Sequence, residues 1–563
     1  MGTTYARRRP RLGRAAVVGS FTLGLLAAGC SATSSTGTTP SSEGTVKLNE
    51  KDAALEADAE PTTGGKLVVA VPGETNGWNP IEAQWADAGS LEGSAFIEPL
   101  ITLDNDGNWE MFLADKIDHN ADFTQWDITV KPNIPFHDGT MLDGKAVQKT
   151  LTASYTSGLA QVALAPLYDH VEQTGPLSVK VFLKRSWSQY PASLNTNGRI
   201  MALAMYDAPD HGATKPIGTG PFVFQSWEQG KQLQAKKFDK YWRKDSKGRQ
   251  LPFLDEIEFR PLTDKDSMEK ALQAKDVDVA LSTSAQVANR IGDDFEVLRD
   301  WTSERTFVML NTAEAAANAP NPFTNLHARR ALAYATNRKD IVPLVGDNVQ
   351  TTAQGYRTDS KWGLPEDQAG YYAYDLAKAK EEVEAYKKDT GKPSLTFTFI
   401  GLTNVEDSTI MQALQQQWAE AGIEAKLENF EQIRYITTVV SGLYQAAWFR
   451  WYGWQNPDSN TTFNAAETNK PIGELSINFT HYTSTRMEAN LKAQRESDDV
   501  ATRKKANDDI IRETNEQAVN IWLFDTPYSI IASQDVHGLN SFRTHSFGNY
   551  SSKPWWGEVW IQS

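Results

Sequence analysis

Apolar residues recur with two different periods along this chain, and the change of period divides it. Lys66-Leu67-Val68-Val69-Ala70-Val71 is a β-branched run closed by Pro72-Gly73, which predicts a short buried strand. Gln125-Trp126-Asp127-Ile128-Thr129-Val130 alternates polar and apolar, as a strand buried on one face does, and 179–183 repeats the pattern. Phe222-Val223-Phe224 and 232–235 flank Glu228-Gln229-Gly230-Lys231, which predicts a hairpin. Further on the pattern becomes α/β. Leu395, Phe397 and Phe399 alternate. Asp407 or Ser408 then stands where a cap is wanted for a helix with Ile410, Met411, Leu414 and Trp418 on one face. Gly422 suits the left-handed position that closes it, and Ile423, Ala425 and Leu427 alternate again. Strand, helix and strand make a βαβ unit and hence a parallel sheet. Helices are also predicted over 375–388, ending before Gly391, and over 326–337, with Ala331, Leu332 and Ala335 on one side.

Before Gly65 neither period is sustained. Arg7, Arg8, Arg9, Arg11 and Arg14 precede an apolar run over 15–28, interrupted mainly by Gly19, Ser20 and Thr22. A basic start, a short apolar run and small residues at its end read as an export signal. The run is shorter than the roughly 20 residues a membrane-spanning helix needs, and no later segment is long and apolar enough to span a bilayer. Leu26-Ala27-Ala28-Gly29-Cys30 resembles a bacterial lipobox, with Ala27 where leucine is usual. That resemblance implies cleavage before Cys30 and lipid attachment to it; a plain secretory signal with a chance cysteine is the alternative. The twin-arginine and the general export routes both stay open. Residues 1–29 are then signal peptide, and 30–64 are the lipidated cysteine with a flexible tether rich in Ser, Thr, Gly, Ala and Glu. A coil of that length reaches on the order of 30 Å. Order is expected from Gly65 onward.

Length and charge narrow the choices. A chain of 563 residues corresponds to roughly three to four domain-sized units. The formal net charge is -15, and because residues 1–29 hold five arginines and no acids, the mature chain carries -20. Such a balance argues against nucleic-acid binding. It also repels anionic lipid headgroups, so membrane association would come from the anchor. One cysteine excludes an intrachain disulfide and a Cys-based zinc cluster.

Chemistry-bearing motifs are mostly missing. The sequence has no His-Glu-x-x-His, no Gly-x-Ser-x-Gly and no Walker-type phosphate loop, and no two of its eight histidines are spaced i,i+4. His137-Asp138-Gly139 reads as a turn in preference to a metal or catalytic group. No enzyme activity, cofactor or metal is expected; a secreted hydrolase using two of the many acids is the least favoured alternative. Aromatic residues are the positive signal. Phe449, Trp451, Tyr452 and Trp454 lie within six residues, beside Arg450, Asn456, Pro457 and Asp458. The segment 447–451 begins as a strand and Gly453 and Gln455-Asn456-Pro457-Asp458 turn it into a loop. Aromatic and polar groups at the end of a strand of an α/β domain fit a ligand cleft. A core cluster competes, since alternation puts Trp448, Arg450 and Tyr452 on one face and Phe449 and Trp451 on the other.

Several segments together resemble the large solute-binding proteins of ABC importers, the family-5 oligopeptide/dipeptide/nickel class. They are Gly64-Gly65-Lys66-Leu67 with Trp78-Asn79-Pro80, Ile97-Glu98-Pro99-Leu100, and Trp126 to Lys131 followed by Ile134-Pro135-Phe136-His137-Asp138-Gly139-Thr140 and Ala146-Val147. Pro216-Ile217-Gly218-Thr219-Gly220-Pro221-Phe222 with Tyr241-Trp242, Phe253-Leu254-Asp255-Glu256-Ile257, and the arginine-alanine pattern from Arg329 to Arg338 complete the set. The resemblance runs from Gly65 to about Tyr528. It implies an α/β fold of the periplasmic-binding-protein type II, cluster C, with two α/β lobes closing about a hinge and an extra lobe. Lobe I would be 65–97, 205–305 and 530–563; lobe II 98–204; lobe III 306–529. It implies a monomer held outside the cytoplasmic membrane by a lipid anchor, capturing an oligopeptide by hinge closure and delivering it to an ABC permease.

The peptide-binding pattern Gly-Trp-x-x-Asp-Tyr-x-x-Pro is not plainly kept in Arg450-Trp451-Tyr452-Gly453-Trp454-Gln455-Asn456-Pro457-Asp458, so the ligand stays open. With 17 tryptophans in the chain, an oligosaccharide or aromatic solute is an alternative, as is an envelope-regulatory lipoprotein without transport. The expected ligand-facing residues are Gln84, Trp85, Arg450, Trp451, Tyr452, Trp454, Asn456 and Asp458, with Trp85 opposite Trp454.

Overall fold

The computed structural model describes residues 60–83, 85, 87–103, 107–157, 160–300, 304–314, 320–346, 349–356, 358, 360–451, 456–539 and 555–562. Cys30 and the expected signal and tether up to residue 59 lie outside them. Three bodies of structure are built on three sheets.

The first body is a seven-stranded sheet in the order Phe295–Asp300, Tyr528–Ser533, Val279–Ser282, Lys66–Val71, Glu256–Pro261, Gln232–Lys237, Phe222–Glu228. The β-branched run 66–71 is its centre and pairs in parallel with Glu256–Pro261 and Val279–Ser282; the remaining pairs are antiparallel. The predicted hairpin is its edge. Order begins before the expected Gly65. Glu60 pairs with Lys247 at 2.8 Å and with Arg249, and Gly64 N–H donates to Phe253 O at 2.8 Å. These polar contacts fix the last residues of what composition reads as tether.

The second body is a four-stranded antiparallel sheet, Ala114–His119, Gln125–Val130, Ser178–Leu183, Tyr168–Gln173. The alternating strands 125–130 and 178–183 bury Trp126, Ile128, Val130, Val179, Val181 and Leu183 on one face, as period-two patterning requires. Its junction with the first body explains the Gly218-Thr219-Gly220 motif. A Cβ on Gly218 would sit 2.2 Å from Phe96 O, and one on Gly220 would sit 2.6 Å from Ala95 O, so only glycine permits this backbone crossing. Beneath it Glu98 accepts from Tyr241 Oη at 2.5 Å, Thr219 Oγ1 at 2.8 Å and Trp242 Nε1 at 2.9 Å. Burial raises its carboxyl to about 7 against those three donors. The 137–139 segment is a turn: Asp138 Oδ1 accepts from Thr140 N at 2.9 Å and Gly139 has φ +85. His137 Nδ1 accepts from Gly218 N at 3.3 Å and Nε2 donates to Gly220 O at 2.9 Å; burial holds the ring neutral, its pKa lowered to about 4.

The third body is a five-stranded sheet in the order Ile423–Phe430, Leu395–Leu402, Ala446–Trp451, Arg305–Leu310, Asn520–Asp525. Its first two strands are parallel and enclose the helix Val405–Glu420, so the βαβ unit is present. The cap is Asn404, whose Oδ1 accepts from Asp407 N at 2.8 Å; it stands three residues ahead of Asp407, the first of the expected caps, and adds most of a turn. Gly422 is left-handed, φ +81. Asp375 caps Leu376–Thr390, which runs to the left-handed Gly391. The helix expected over 326–337 is Leu326–Ala335. It stops early because Thr336 Oγ1 turns back to Leu332 O and accepts from Trp418 Nε1 at 3.0 Å, and Asn337 starts the helix Arg338–Val345.

Two crossings join the first and third bodies, from Phe295–Asp300 to Arg305–Leu310 and from Asn520–Asp525 through Thr526 and Pro527 to Tyr528–Ser533. They run side by side: Thr526 N donates to Glu304 O at 3.0 Å and the Thr306 and Thr526 hydroxyls bond at 2.8 Å. Among the described residues, 14 tryptophans have described side chains and 11 of these are buried. Most of the aromatic excess is therefore core.

Candidate functional site

A cleft of about 730 Å³ lies between the first and third bodies, above the paired crossings. Its position follows from the strand directions. Pro72-Gly73-Glu74 follows Lys66–Val71, Leu262 to Lys265 follow Glu256–Pro261, and Thr283-Ser284 follow Val279–Ser282; all line one wall. These are the carboxyl ends of the three mutually parallel strands, where open α/β sheets place ligands. The opposite wall has the same origin. Asn404 to Asp407 follow the parallel strand Leu395–Leu402, with Tyr435, Ile436 and Val439 beside them from the helix Gln432–Val440. Trp448, Phe449 and Arg450 close that side, and Thr306 and Thr526 of the two crossings also contribute.

The charged groups of the cleft are partly engaged. Arg450 Nη1 lies 3.2 Å from Glu304 Oε2, a buried carboxylate at the crossing. Glu74 accepts from Trp227 Nε1 and Gly230 N, each at 2.9 Å. Lys265 of the first body reaches across the opening to Glu406 of the third, Nζ to Oε2 3.8 Å, and donates to Gln286 Oε1 at 3.1 Å. Partial burial raises the Glu406 carboxyl and Lys265 opposes the shift. The Tyr435 hydroxyl donates to Trp448 O and is held protonated by burial. A second contact joins the two walls: Gly346, at φ +145, passes so close to Ala285 that a Cβ there would lie 2.8 Å from the alanine methyl. Among the described residues, no group of three or more His, Cys, Asp and Glu could hold a metal ion, and no helix is long and apolar enough to cross a membrane.

The expected ligand-facing residues separate into three sets. Arg450 lines the cleft. Gln84, Tyr452, Trp454 and the side chain of Trp451 lie outside the described residues. Trp85, Asn456 and Asp458 are placed elsewhere. Trp85 is packed within the first body, its Nε1 donating to Gly77 O at 3.0 Å and its ring filling the space above Gly93. The Arg199 guanidinium lies 4.8 Å from the ring. Asp458 accepts from Trp187 Nε1 at 2.8 Å and from Arg495 Nε and Nη2 at 3.0 and 3.1 Å. Asn456 donates to Gln189 Oε1 at 3.1 Å and accepts from Arg503 Nη2 at 2.8 Å. Trp187 and Gln189 belong to the second body, so these polar residues join the second and third bodies. Sequence reasoning missed Lys265, Ser284, Glu406 and Tyr435. A positional signal existed for Glu406 alone, just past the 395–399 strand pattern; Lys265 and Ser284 follow the strands Glu256–Pro261 and Val279–Ser282, which the apolar pattern does not announce, and Tyr435 lies within the helix Gln432–Val440.

The family model for bacterial extracellular solute-binding proteins, family 5, middle region, matches residues 108–474. The glutathione-binding protein GsiB of Pectobacterium atrosepticum is 26% identical over 386 residues, covering 66% of this chain and 70% of that protein. Its counterpart in Escherichia coli K12 is 25% identical, covering 64% and 69%. Among solved structures, the oligopeptide-binding protein AppA of Bacillus subtilis in complex with a nonapeptide superposes with a TM-score of 0.73 at 20% identity, over 90% of this chain and 100% of that one. AgaA from A. tumefaciens R10 in complex with agropinic acid gives 0.76 at 20% identity, over 89% and 99%. The fold is that of the type II periplasmic binding proteins.

Proposed function

Because the chain belongs to the family-5 bacterial extracellular solute-binding proteins, we propose that it captures a short peptide in the cleft between its first and third bodies and delivers it to an ABC importer. The observation that carries this reading is the cleft itself. It sits at the carboxyl ends of parallel strands in both walls and spans two bodies joined by two adjacent crossings. Such a pair of crossings can flex as a hinge, and a ligand that contacts both walls shifts the balance toward the closed form. In this reading the three bodies are lobes I, II and III, with Arg305 assigned to the third lobe and Tyr528 and Ser529 to the first, because their strands belong to those sheets. Cys30 carries the lipid that holds the protein outside the cytoplasmic membrane. Relatives named for glutathione binding and a fold neighbour holding a nonapeptide support a peptide over an oligosaccharide.

Native mass spectrometry of the purified protein, followed by thermal-shift titration with a synthetic short-peptide library, tests the ligand. Peptides retained in the complex and a rise in melting temperature are expected. Retention of sugars with no shift from any peptide overturns the peptide reading.

A further inference from the structure

The wall contributed by the first body holds a hydroxyl that the fold does not use. Ser284 is 6% exposed and lines the cleft, and its Oγ has no hydrogen-bond partner within the protein. It stands at the cap position of the helix Ala285–Arg290, yet its side chain makes no cap bond. Its backbone N–H is already taken by Ser282 Oγ at 3.1 Å. Buried polar groups in native proteins are normally paired, so an unpaired one lining a cleft points to a partner arriving from outside.

Its neighbours define that partner. Two residues along, Gln286 Oε1 accepts from Lys265 Nζ at 3.1 Å, which places an ammonium beside the Ser284 segment. A hydroxyl and an ammonium are both donors, and together they recognise an oxygen acceptor, best an anionic one. The nearby carboxylates do not compete equally. Asp264 caps the helix Lys265–Gln273, accepting from Ser267 N at 2.8 Å and from Ser267 Oγ at 2.7 Å. Glu406 approaches Lys265 only from the opposite wall and only to 3.8 Å, beyond the range of a charge-assisted hydrogen bond. That approach shows that the lysine can face a carboxylate in the opening.

We infer that Ser284 and Lys265 form a subsite for a carboxylate of the ligand, with Gln286 positioning the lysine. This inference deepens the proposed function and rests on the cleft being the ligand site. A ligand carboxylate takes the position at Lys265 that Glu406 approaches in this structure, and the Ser284 hydroxyl donates to its second oxygen. Specificity then lies in the first body, on loops that the family-like aromatic segment around Arg450 does not include.

Matched peptide libraries with free and with amidated C-termini test this, together with native mass spectrometry, on wild-type protein and on Ser284→Ala and Lys265→Gln. The free acids are expected to bind about tenfold or more tightly than the amides, and both substitutions to remove that preference. Ser284→Ala should leave the melting temperature of the ligand-free protein unchanged or higher, because the hydroxyl bonds to nothing in the fold; this keeps a folding defect distinguishable. Equal binding of acids and amides, or wild-type preference in both variants, overturns the subsite. If no peptide binds but a non-peptide carboxylate is retained by wild type and lost from both variants, the subsite stands and the peptide reading falls. If the retained solute has no carboxylate, the subsite falls.

Discussion

Two boundaries of the third body bring polar and aromatic groups together, and they differ in how closely the facing groups meet. Against the second body, Asp458 receives three donors and Asn456 bonds to groups on both sides. The guanidinium of Arg495 lies 4.6 Å from the Trp187 ring, and that of Arg503 lies 4.9 Å from Trp362. Against the first body, the facing groups leave a cleft, the cross-opening ion pair is long, and one buried hydroxyl is unpaired. Residue type does not separate a fixed interface from a binding cleft; at the first, polar groups meet across the boundary in direct bonds, although Arg503 Nε is left without a partner, and at the second they face each other across open space.

The largest expected effect breaks the closed boundary. Asp458→Ala leaves the buried Arg495 charge unpaired and should cost about 3–5 kcal/mol of stability, read by denaturant unfolding with the C-terminal contacts intact. Affinity for a retained peptide in the folded fraction should change little; a selective loss of affinity with normal stability would return Asp458 to the ligand site.

Glu98 extends the comparison to the boundary of the first and second bodies, where donors are plentiful but no carboxylate-pairing cation is bonded. With its pKa raised from 4.5 to about 7, the folded state favours the protonated acid. Its contribution is fully present below about pH 4.5 and is lost as pH rises through about 7, a change of about 3 kcal/mol. Stability measured across that range should fall for wild type relative to Glu98→Gln. Parallel profiles would mean the carboxylate is ionised throughout, held by its three donors.

A smaller effect concerns approach of the cleft walls. Gly346→Val places a side chain against Ala285 at φ +145 and should weaken peptide binding by about tenfold, or ~1.4 kcal/mol, with calorimetry as the check. The smallest is the Lys265–Glu406 pair. Both side chains are about a third exposed, so a double-mutant cycle in ligand-free protein should give less than about 1 kcal/mol, shrinking with added salt.

Much of this architecture is legible in the sequence. The 66–71 run, the alternation over 125–130 and the 395–427 strand-helix-strand pattern all carry periodicity imposed by local packing. Gly218-Thr219-Gly220 is readable because a backbone crossing leaves a compositional mark. The cleft is less legible. Lys265, Ser284 and Glu406 stand at the starts of three separate helices that only the third dimension brings together, and none has a distinguishing pattern around it. Asp458 shows the converse: a polar residue beside aromatics invites a ligand reading, and pairing across a distant interface gives it another role. The helix ends moved for local reasons, since Asn404 and Thr336 form side-chain bonds that periodicity does not report.

The burial of most described indoles has a spectroscopic consequence. Intrinsic emission from this protein should be dominated by tryptophans fixed in the cores, giving a large background that does not respond to ligand. Among the tryptophans with described side chains, Trp448 is the one that lines the cleft, and its indole lies against Phe524 at the second crossing, centroids 6.2 Å apart. It is therefore the natural reporter of hinge movement, seen best as a small difference signal, and replacing background tryptophans would raise contrast more than adding a dye.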